Sequence, residues 1–154
     1  MILYRFSPER YSMDLSGEGA KRFGGRWNSK RIPVVYTSSQ ISLSLLELLI
    51  HSISYNEIIN NRLTIIEVPD KSYTEIDVKS LKIGWQADDK YSKYLGDQFL
   101  SSLSHLLLKV PSAVIPIEFN FLINPHHKDF SKVKIYSTDL FSFDIRLFKN
   151  EHIY

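Results

Sequence analysis

Cysteine is absent from this chain of 154 residues, and glycine and proline number only six each. The absence of cysteine excludes disulfide bonds, thiolate catalysis and cysteine–zinc sites, and it suits a reducing compartment. No apolar run reaches the about 18 residues that a transmembrane helix needs, and the first residues lack the basic and long apolar regions of a signal peptide. We therefore predict a cytoplasmic protein that does not enter a membrane.

The composition predicts one folded domain over residues 1–154. The chain is 44% hydrophobic and 23% charged, which is enough apolar surface to form a core. Its formal net charge is only +2. So small a positive charge permits contact with nucleic acid but does not demand it.

Hydrophobic periodicity predicts an α+β fold, rich in strands and with two main helices. Residues 7–31 are expected to be mostly loop, and residues 70–89 are expected to be irregular. The helix over 39–54 should start at Ser38 or Ser39, and it is apolar on more than one side, which predicts that it is largely buried. The second helix is predicted over 91–108. Strands are predicted over residues 1–6, 32–37 and 62–69, and near 113–122, 132–137 and 140–148.

A glycine-rich basic loop is the most unusual local feature. Four of the six glycines lie within residues 17–25. Such a loop lets a ligand approach the backbone closely, and arginines in it bind phosphate well. The pattern favours a phosphate or pyrophosphate site, with a solvated turn-forming loop as the alternative. Its basic residues are Lys21, Arg22, Arg26, Lys30 and Arg31.

Glu47 is an ionisable residue inside an otherwise apolar run, Leu45 to Ile50. Glutamate is rarely buried without a partner. The functional interpretation is a carboxylate presented to a cleft. The structural alternative is a residue at the polar edge of the helix, or one that pairs with a basic loop residue.

These features occur in an order that resembles the RES-domain family, the toxin half of Xre–RES toxin–antitoxin modules. The resemblance extends from about Tyr4 to Leu147. Each matching segment is weak alone, but the ordered set is specific. The matching segments are Tyr4-Arg5, Gly24–Asn28, Val35–Ser38, Leu45–Glu47 and Val110–Val114.

The resemblance implies an ADP-ribosyltransferase-like fold with a cleft that binds NAD as the substrate, without a metal. It implies that Glu47 is the key catalytic residue, assisted by Arg26 and Tyr36. It also implies an Xre-type helix-turn-helix antitoxin as partner, and we expect no direct nucleic-acid binding except through that antitoxin. The implied NAD-contacting residues are Tyr4, Arg5, Arg26, Tyr36 and Ser112.

Cleavage of the nicotinamide–ribose bond explains the need for a carboxylate. The ribose gains oxocarbenium character, as in glycoside hydrolysis, and a carboxylate stabilises that charge. Nicotinamide is cationic in NAD and departs neutral, so no general acid is required. One glutamate is therefore sufficient to anchor the reaction.

Alternatives of other kinds remain open from the sequence. One is a protein ADP-ribosyltransferase, although the apolar Leu45, two residues before Glu47, favours water or phosphate as acceptor. Another is an RNA-binding or RNA-cutting toxin that uses the basic loop, and a third is a non-catalytic module. The role of His51 is open. His126 and His127 match no metal-ligand spacing, and Asn120 and Asn124 are interpreted as structural.

Overall fold

The computed structural model describes residues 1–70 and 72–148, which form one seven-stranded mixed sheet with helices packed against it. The strand order is β4-β5-β6-β2-β1-β3-β7. Neighbouring strands are antiparallel except β4 and β5. The strands are β1 (Ile2–Pro8), β2 (Val35–Ser38), β3 (Asn61–Glu67), β4 (Tyr73–Glu75), β5 (Leu107–Pro111), β6 (Phe119–Ile123) and β7 (Lys134–Leu140). The α-helices are α1 (Glu18–Phe23), α2 (Ile41–Ile50), α3 (Tyr55–Ile58) and α4 (Asp89–Ser102). This architecture confirms the α+β prediction.

The sheet has a seam between β1 and β2. These strands share a single register pair, Tyr4 with Ser38. By contrast, β1 pairs with β3 along its whole length, from Ile2 to Pro8. Fewer ladder hydrogen bonds therefore join the two halves of the sheet here than join the strands within each half. Helix α2 follows β2 and packs against both seam strands.

Two apolar clusters lie on opposite faces of β5 and β6. Leu107 and Ile123 belong to one cluster, whereas Leu108 and Leu122 belong to the other. Side chains alternate between the faces of a strand, so covering both faces requires a continuous apolar run. Helix α4 contributes Phe99 to the second cluster, and this packing places its first turns beside the site described below.

The second predicted helix ends earlier than expected. Helix α4 stops at Ser102, and Leu103 takes a left-handed backbone conformation with φ of 53°. The spacing of the leucines that follow fits a helical stripe, and the sequence therefore predicts that they belong to the helix. Residues 107–111 instead form strand β5, whose side chains fill both apolar clusters.

The first predicted helix is both shorter and less buried than expected. Helix α2 covers Ile41–Ile50, and α3 is a separate turn. Gln40 precedes the helix as its N-cap, because Ser38 belongs to β2. The apolar Ile41 and Ile50 are exposed, so an apolar run here does not mean burial.

Residues 7–31 contain helix α1 within a segment predicted to be mostly loop, with Gly17 and Gly24 at the two ends of the helix. A further expectation is wrong. The segment 140–148 is not a strand, since β7 already ends at Leu140 and a 3-10 turn covers Ile145–Phe148. Residues 149–154 of the predicted domain lie outside the described residues.

Candidate functional site

A cleft of about 840 Å³ opens beside the seam of the sheet. Its walls come from β1, α1 and the loop after it, β2, α2, the β5–β6 connection, β6, and the start of α4 with Gln86 before it. This volume lies within the range of about 300–1,000 Å³ that is typical of small-molecule sites. Three basic and two acidic side chains line it, together with a histidine. These side chains are Arg5, Arg26, Lys93, Glu47, Asp89 and His51.

The carboxylate of Glu47 is held by two side-chain donors. The hydroxyl of Ser112 donates to Oε1 at 2.8 Å, and Nδ2 of Asn120 donates to the same oxygen at 2.7 Å. The amide of Asn120 is held in turn by the hydroxyl of Ser38, which donates to its Oδ1 at 2.7 Å. Glu47 is half-buried and lines the cleft. The structure thus places this carboxylate at a cleft, where a chain of hydrogen bonds fixes its orientation.

Both of these donors bind one oxygen of Glu47. Among the described residues, no hydrogen bond is found to the other oxygen, Oε2. Ser112 is fully buried, and its hydroxyl accepts the backbone N–H groups of Val114 and Ile115 at 3.1 and 3.2 Å. The structure therefore places Ser112 behind Glu47, with its hydroxyl already fully engaged.

Tyr36 connects strand β2 to the loop after α1. Its hydroxyl accepts the N–H of Trp27 at 2.9 Å and donates to Oδ1 of Asn28 at 2.7 Å. A Cβ atom on Gly25 would lie 2.5 Å from this hydroxyl, so only glycine permits the contact. Burial raises the pKa of the Tyr36 hydroxyl above its usual value. Tyr36 therefore lines the cleft as a neutral side chain.

Asn28 is a residue whose importance sequence reasoning missed. Its side chain is completely buried, and Nδ2 donates to the carbonyl oxygens of Ala20 and Ile32, both at 2.9 Å. With Tyr36, it ties together the end of α1, the loop and the entry to β2. In the sequence, Asn28 stands out only because it follows Trp27 in a segment that matches the RES-domain pattern. Nothing in the sequence indicates that its side chain is buried.

Arg26 projects into the cleft from the same loop. Its Nη1 donates to the carbonyl oxygen of Gln86 at 2.8 Å and lies 3.7 Å from Oδ1 of Asp89. Its guanidinium also lies 5.9 Å from the ring centroid of Trp85. Within residues 1–70 and 72–148, Nε and Nη2 have no polar partner, which leaves donors for a ligand. Arg26 is not the basic loop residue that would pair with Glu47 in the structural alternative, since its carboxylate neighbour is Asp89.

Arg5 and Tyr4 are adjacent on β1 but lie in different surroundings. Arg5 lines the cleft, and its Nη1 donates to the carbonyl oxygen of Asp14 at 2.6 Å. Burial lowers the pKa of Arg5, while the Asp14 carboxylate opposes the change. Tyr4 is half-buried and pairs with Ser38 across the seam. It is not among the described residues that line the cleft.

The glycine-rich loop is less basic toward the cleft than its sequence indicates. Lys21 and Arg22 lie on α1 and pair with Glu18 at 3.6 and 3.3 Å. Lys30 and Arg31 are exposed outside the cleft lining. Of the five basic residues in this segment, Arg26 alone lines the cleft in the part of the chain that the structure describes.

His51, His126 and His127 lie in three different settings. His51 lines the cleft one helical turn after Glu47. His126 is exposed, whereas His127 is buried and its Nδ1 accepts the N–H of Asp129 at 3.1 Å. In the described ranges, no three His, Asp or Glu side chains form a group suited to a metal ion. None of the helices described is long and apolar enough to cross a membrane.

Comparisons with known proteins agree with this fold and sequence pattern. Residues 2–145 match the family model of the RES domain. The chain is 40% identical over 150 residues to Toxin Res of Pseudomonas putida, covering 96% of this chain and 100% of the relative. It is 38% identical over 141 residues to the Prs ADP-ribosylating toxin of Sphingobium sp., covering 88% of each. A chain in the crystal structure of the M. tuberculosis MbcT–MbcA toxin–antitoxin complex superposes with a TM-score of 0.71, at 20% identity, over 97% of this chain and 87% of that one. The chain belongs to the RES domain family.

Proposed function

We propose that this chain is the toxin of a toxin–antitoxin module and that it consumes NAD by cleaving the nicotinamide–ribose bond. The observation that carries the proposal is the carboxylate of Glu47, held through one oxygen in a cleft that arginines also line. Membership of the RES domain family supports it. A relative named the Prs ADP-ribosylating toxin also supports it, since ADP-ribosylation draws on NAD. We place this action in the cytoplasm.

In the proposed reaction, Glu47 stabilises the ribose. As the bond to nicotinamide breaks, positive charge spreads over C1′ and the ring oxygen of the ribose. The Oε2 atom of Glu47, which accepts no hydrogen bond from the described residues, is available to face that charge or to accept a ribose hydroxyl. Nicotinamide leaves as a neutral molecule and takes the bonding electrons, so the step needs no proton donor.

The arginines bind the rest of the dinucleotide in this proposal. Arg26 has two guanidinium nitrogens directed to no described protein acceptor, which suits a pyrophosphate oxygen. Arg5 adds a second cation from β1. Tyr36 offers its ring to nicotinamide while its hydroxyl holds the loop. Tyr4 supports the wall of the cleft through its pairing with Ser38. Ser112 supports the Glu47 carboxylate from behind.

The acceptor of ADP-ribose is proposed to be small, either water or phosphate. Leu45 occupies the position two residues before Glu47, so no polar side chain there orients an incoming protein group. Transfer to a protein is the second candidate function. The name of the Sphingobium relative favours that candidate.

The proposed partner is an antitoxin of the Xre-type helix-turn-helix class that covers the cleft. The solved structure of a toxin–antitoxin complex with the same fold supports an antitoxin partner. Co-expression with a neighbouring helix-turn-helix gene should restore the growth of cells that make the chain. Normal growth with abundant chain and no such gene would contradict a toxin.

Release of nicotinamide from NAD by purified protein tests the proposed reaction. We expect release by the wild type and a fall of about 10²–10³-fold in Glu47→Gln, because the amide keeps the shape but loses the charge that stabilises the transition state. Glu57→Gln is the matched control, because Glu57 is an exposed residue of helix α3. Release by Glu47→Gln at the wild-type rate would refute the assignment. Tight RNA binding without nicotinamide release would favour the RNA-directed alternative.

A further inference from the structure

The side-chain amide of Asn120 has one chemically allowed orientation. Its Nδ2 contacts Oε1 of Glu47 at 2.7 Å, and its Oδ1 contacts the hydroxyl of Ser38 at 2.7 Å. An ionised carboxylate only accepts hydrogen bonds, so the NH₂ group must face Glu47. The hydroxyl of Ser38 must then donate to the amide oxygen. Each group in this series of hydrogen bonds therefore determines whether the next group donates or accepts.

The backbone fixes the positions of Ser38 and Asn120, the first two residues of this series of hydrogen bonds. Ser38 and Asn120 are register partners on the antiparallel strands β2 and β6, which places their side chains on the same face. Ser38 is also the residue that pairs with Tyr4 across the seam. The donor to Glu47 therefore comes from a sheet ladder, which is more rigid than a loop.

We propose that Asn120, held by Ser38, is a positioning residue that directs the free oxygen of Glu47 toward the ribose. This inference rests on the proposed role of Glu47 in NAD cleavage. Ser112 holds Oε1 from one direction and Asn120 holds it from another, so the two donors together restrict rotation of the carboxylate. With Ser112 alone, the carboxylate can turn about a single hydrogen bond. The reaction then slows while NAD still binds through Arg26.

Asn120→Ala and Ser38→Ala test this proposal through the separate kinetic constants. Both should lower kcat for nicotinamide release by about tenfold or more, with little change in KM, because misplacing a reacting group slows the chemical step. Asn124→Ala is the matched control, since this buried amide near the same strand donates to the carbonyl oxygen of Leu100. It should lower the melting temperature and leave kcat unchanged. A wild-type kcat in Asn120→Ala would overturn the proposal, as would an equal fall in Asn124→Ala.

Crystal structures separate failure of this inference from failure of the proposed function. If wild-type protein releases no nicotinamide, the proposed function fails. The carboxylate of Glu47 can still be compared between the wild type and Asn120→Ala. A rotated carboxylate in the variant would support the positioning role, and an unmoved one would overturn it.

Discussion

Gly96 lies against the backbone of Trp27 so closely that a Cβ atom there would be 1.8 Å from the Trp27 carbonyl oxygen. Gly96 belongs to α4, and Trp27 belongs to the loop that carries Arg26. Two hydrogen-bonding residues of α4 flank this contact: Ser92 donates to the carbonyl oxygen of Arg26, and Asp97 accepts from Ser29. These contacts therefore hold the glycine-rich segment against helix α4.

Gly96→Ala should separate the loop from α4 and so reduce both stability and NAD turnover. The methyl group meets main-chain atoms, which cannot move aside as a flexible side chain can, and overpacking of this kind costs about 1–3 kcal/mol or more. Thermal unfolding and nicotinamide release measure the two effects. Gly19→Ala is the matched control, because a Cβ atom there would meet nothing within 4 Å apart from its chain neighbours and the backbone of its own helix. Equal behaviour of the two variants would contradict this account of the loop.

Arg26→Ala should weaken NAD binding at least about tenfold, which corresponds to about 1.4 kcal/mol. The loss follows from removing the guanidinium donors that have no described protein partner. Calorimetry in a Glu47→Gln background measures affinity without turnover. Arg22→Ala is the control, since Arg22 is exposed and pairs with Glu18 on α1. If both arginines contribute equally, general charge and not a specific contact binds NAD.

Tyr36→Phe should destabilise the fold more than it impairs nicotinamide release. It leaves the Trp27 N–H and the Asn28 oxygen without their partner, which costs about 1–3 kcal/mol for a buried group. The ring that we propose to contact nicotinamide remains. Tyr36→Leu removes the ring as well and should raise KM further. Thermal unfolding and steady-state kinetics of the two variants separate the hydroxyl from the ring, and identical kinetics in both would refute a ring contact.

The fate of ADP-ribose can be followed with NAD that is labelled in its adenylate phosphate. Incubation with the protein and cell lysate should place the label in free ADP-ribose or a phosphorylated form of it. The apolar Leu45 beside Glu47 is the reason for this expectation. Glu47→Gln is the negative control, because it should cleave NAD far more slowly than the wild type. A discrete labelled protein band that disappears with Glu47→Gln would establish transfer to a protein instead.

The charge of Glu47 within an apolar helix, and the ordered segments around it, were sufficient to predict a cleft carboxylate. The role of Asn120 was not predictable, because it depends on strand register. Asn120 reaches Glu47 only because β6 pairs with β2 so that Ser38 lies opposite. A single sequence contains no local signal for that pairing. Asn120 was therefore interpreted as structural, although it is the second donor to the carboxylate.

The ends of the helices were predicted poorly for a related reason. Leu103 and Leu106 continue the helical spacing of α4, but Leu103 ends the helix in a left-handed conformation and Leu106 is fully buried in an apolar cluster. Tertiary burial outweighs periodicity at this point. In α2 the error is in the opposite direction: the apolar sequence predicts burial, but Leu46 and Ile50 remain exposed.

The contacts that build the cleft join parts of the chain that are synthesised far apart. Asn120 lies 73 residues after Glu47, and the Ser29–Asp97 and Arg26–Gln86 contacts span 68 and 60 residues. At a translation rate of about 5–20 residues per second, Glu47 precedes its Asn120 donor by roughly 4–15 s. Contacts of such long range also slow folding. A nascent chain therefore carries the carboxylate without its donors, and the site is assembled only after most of the protein has left the ribosome.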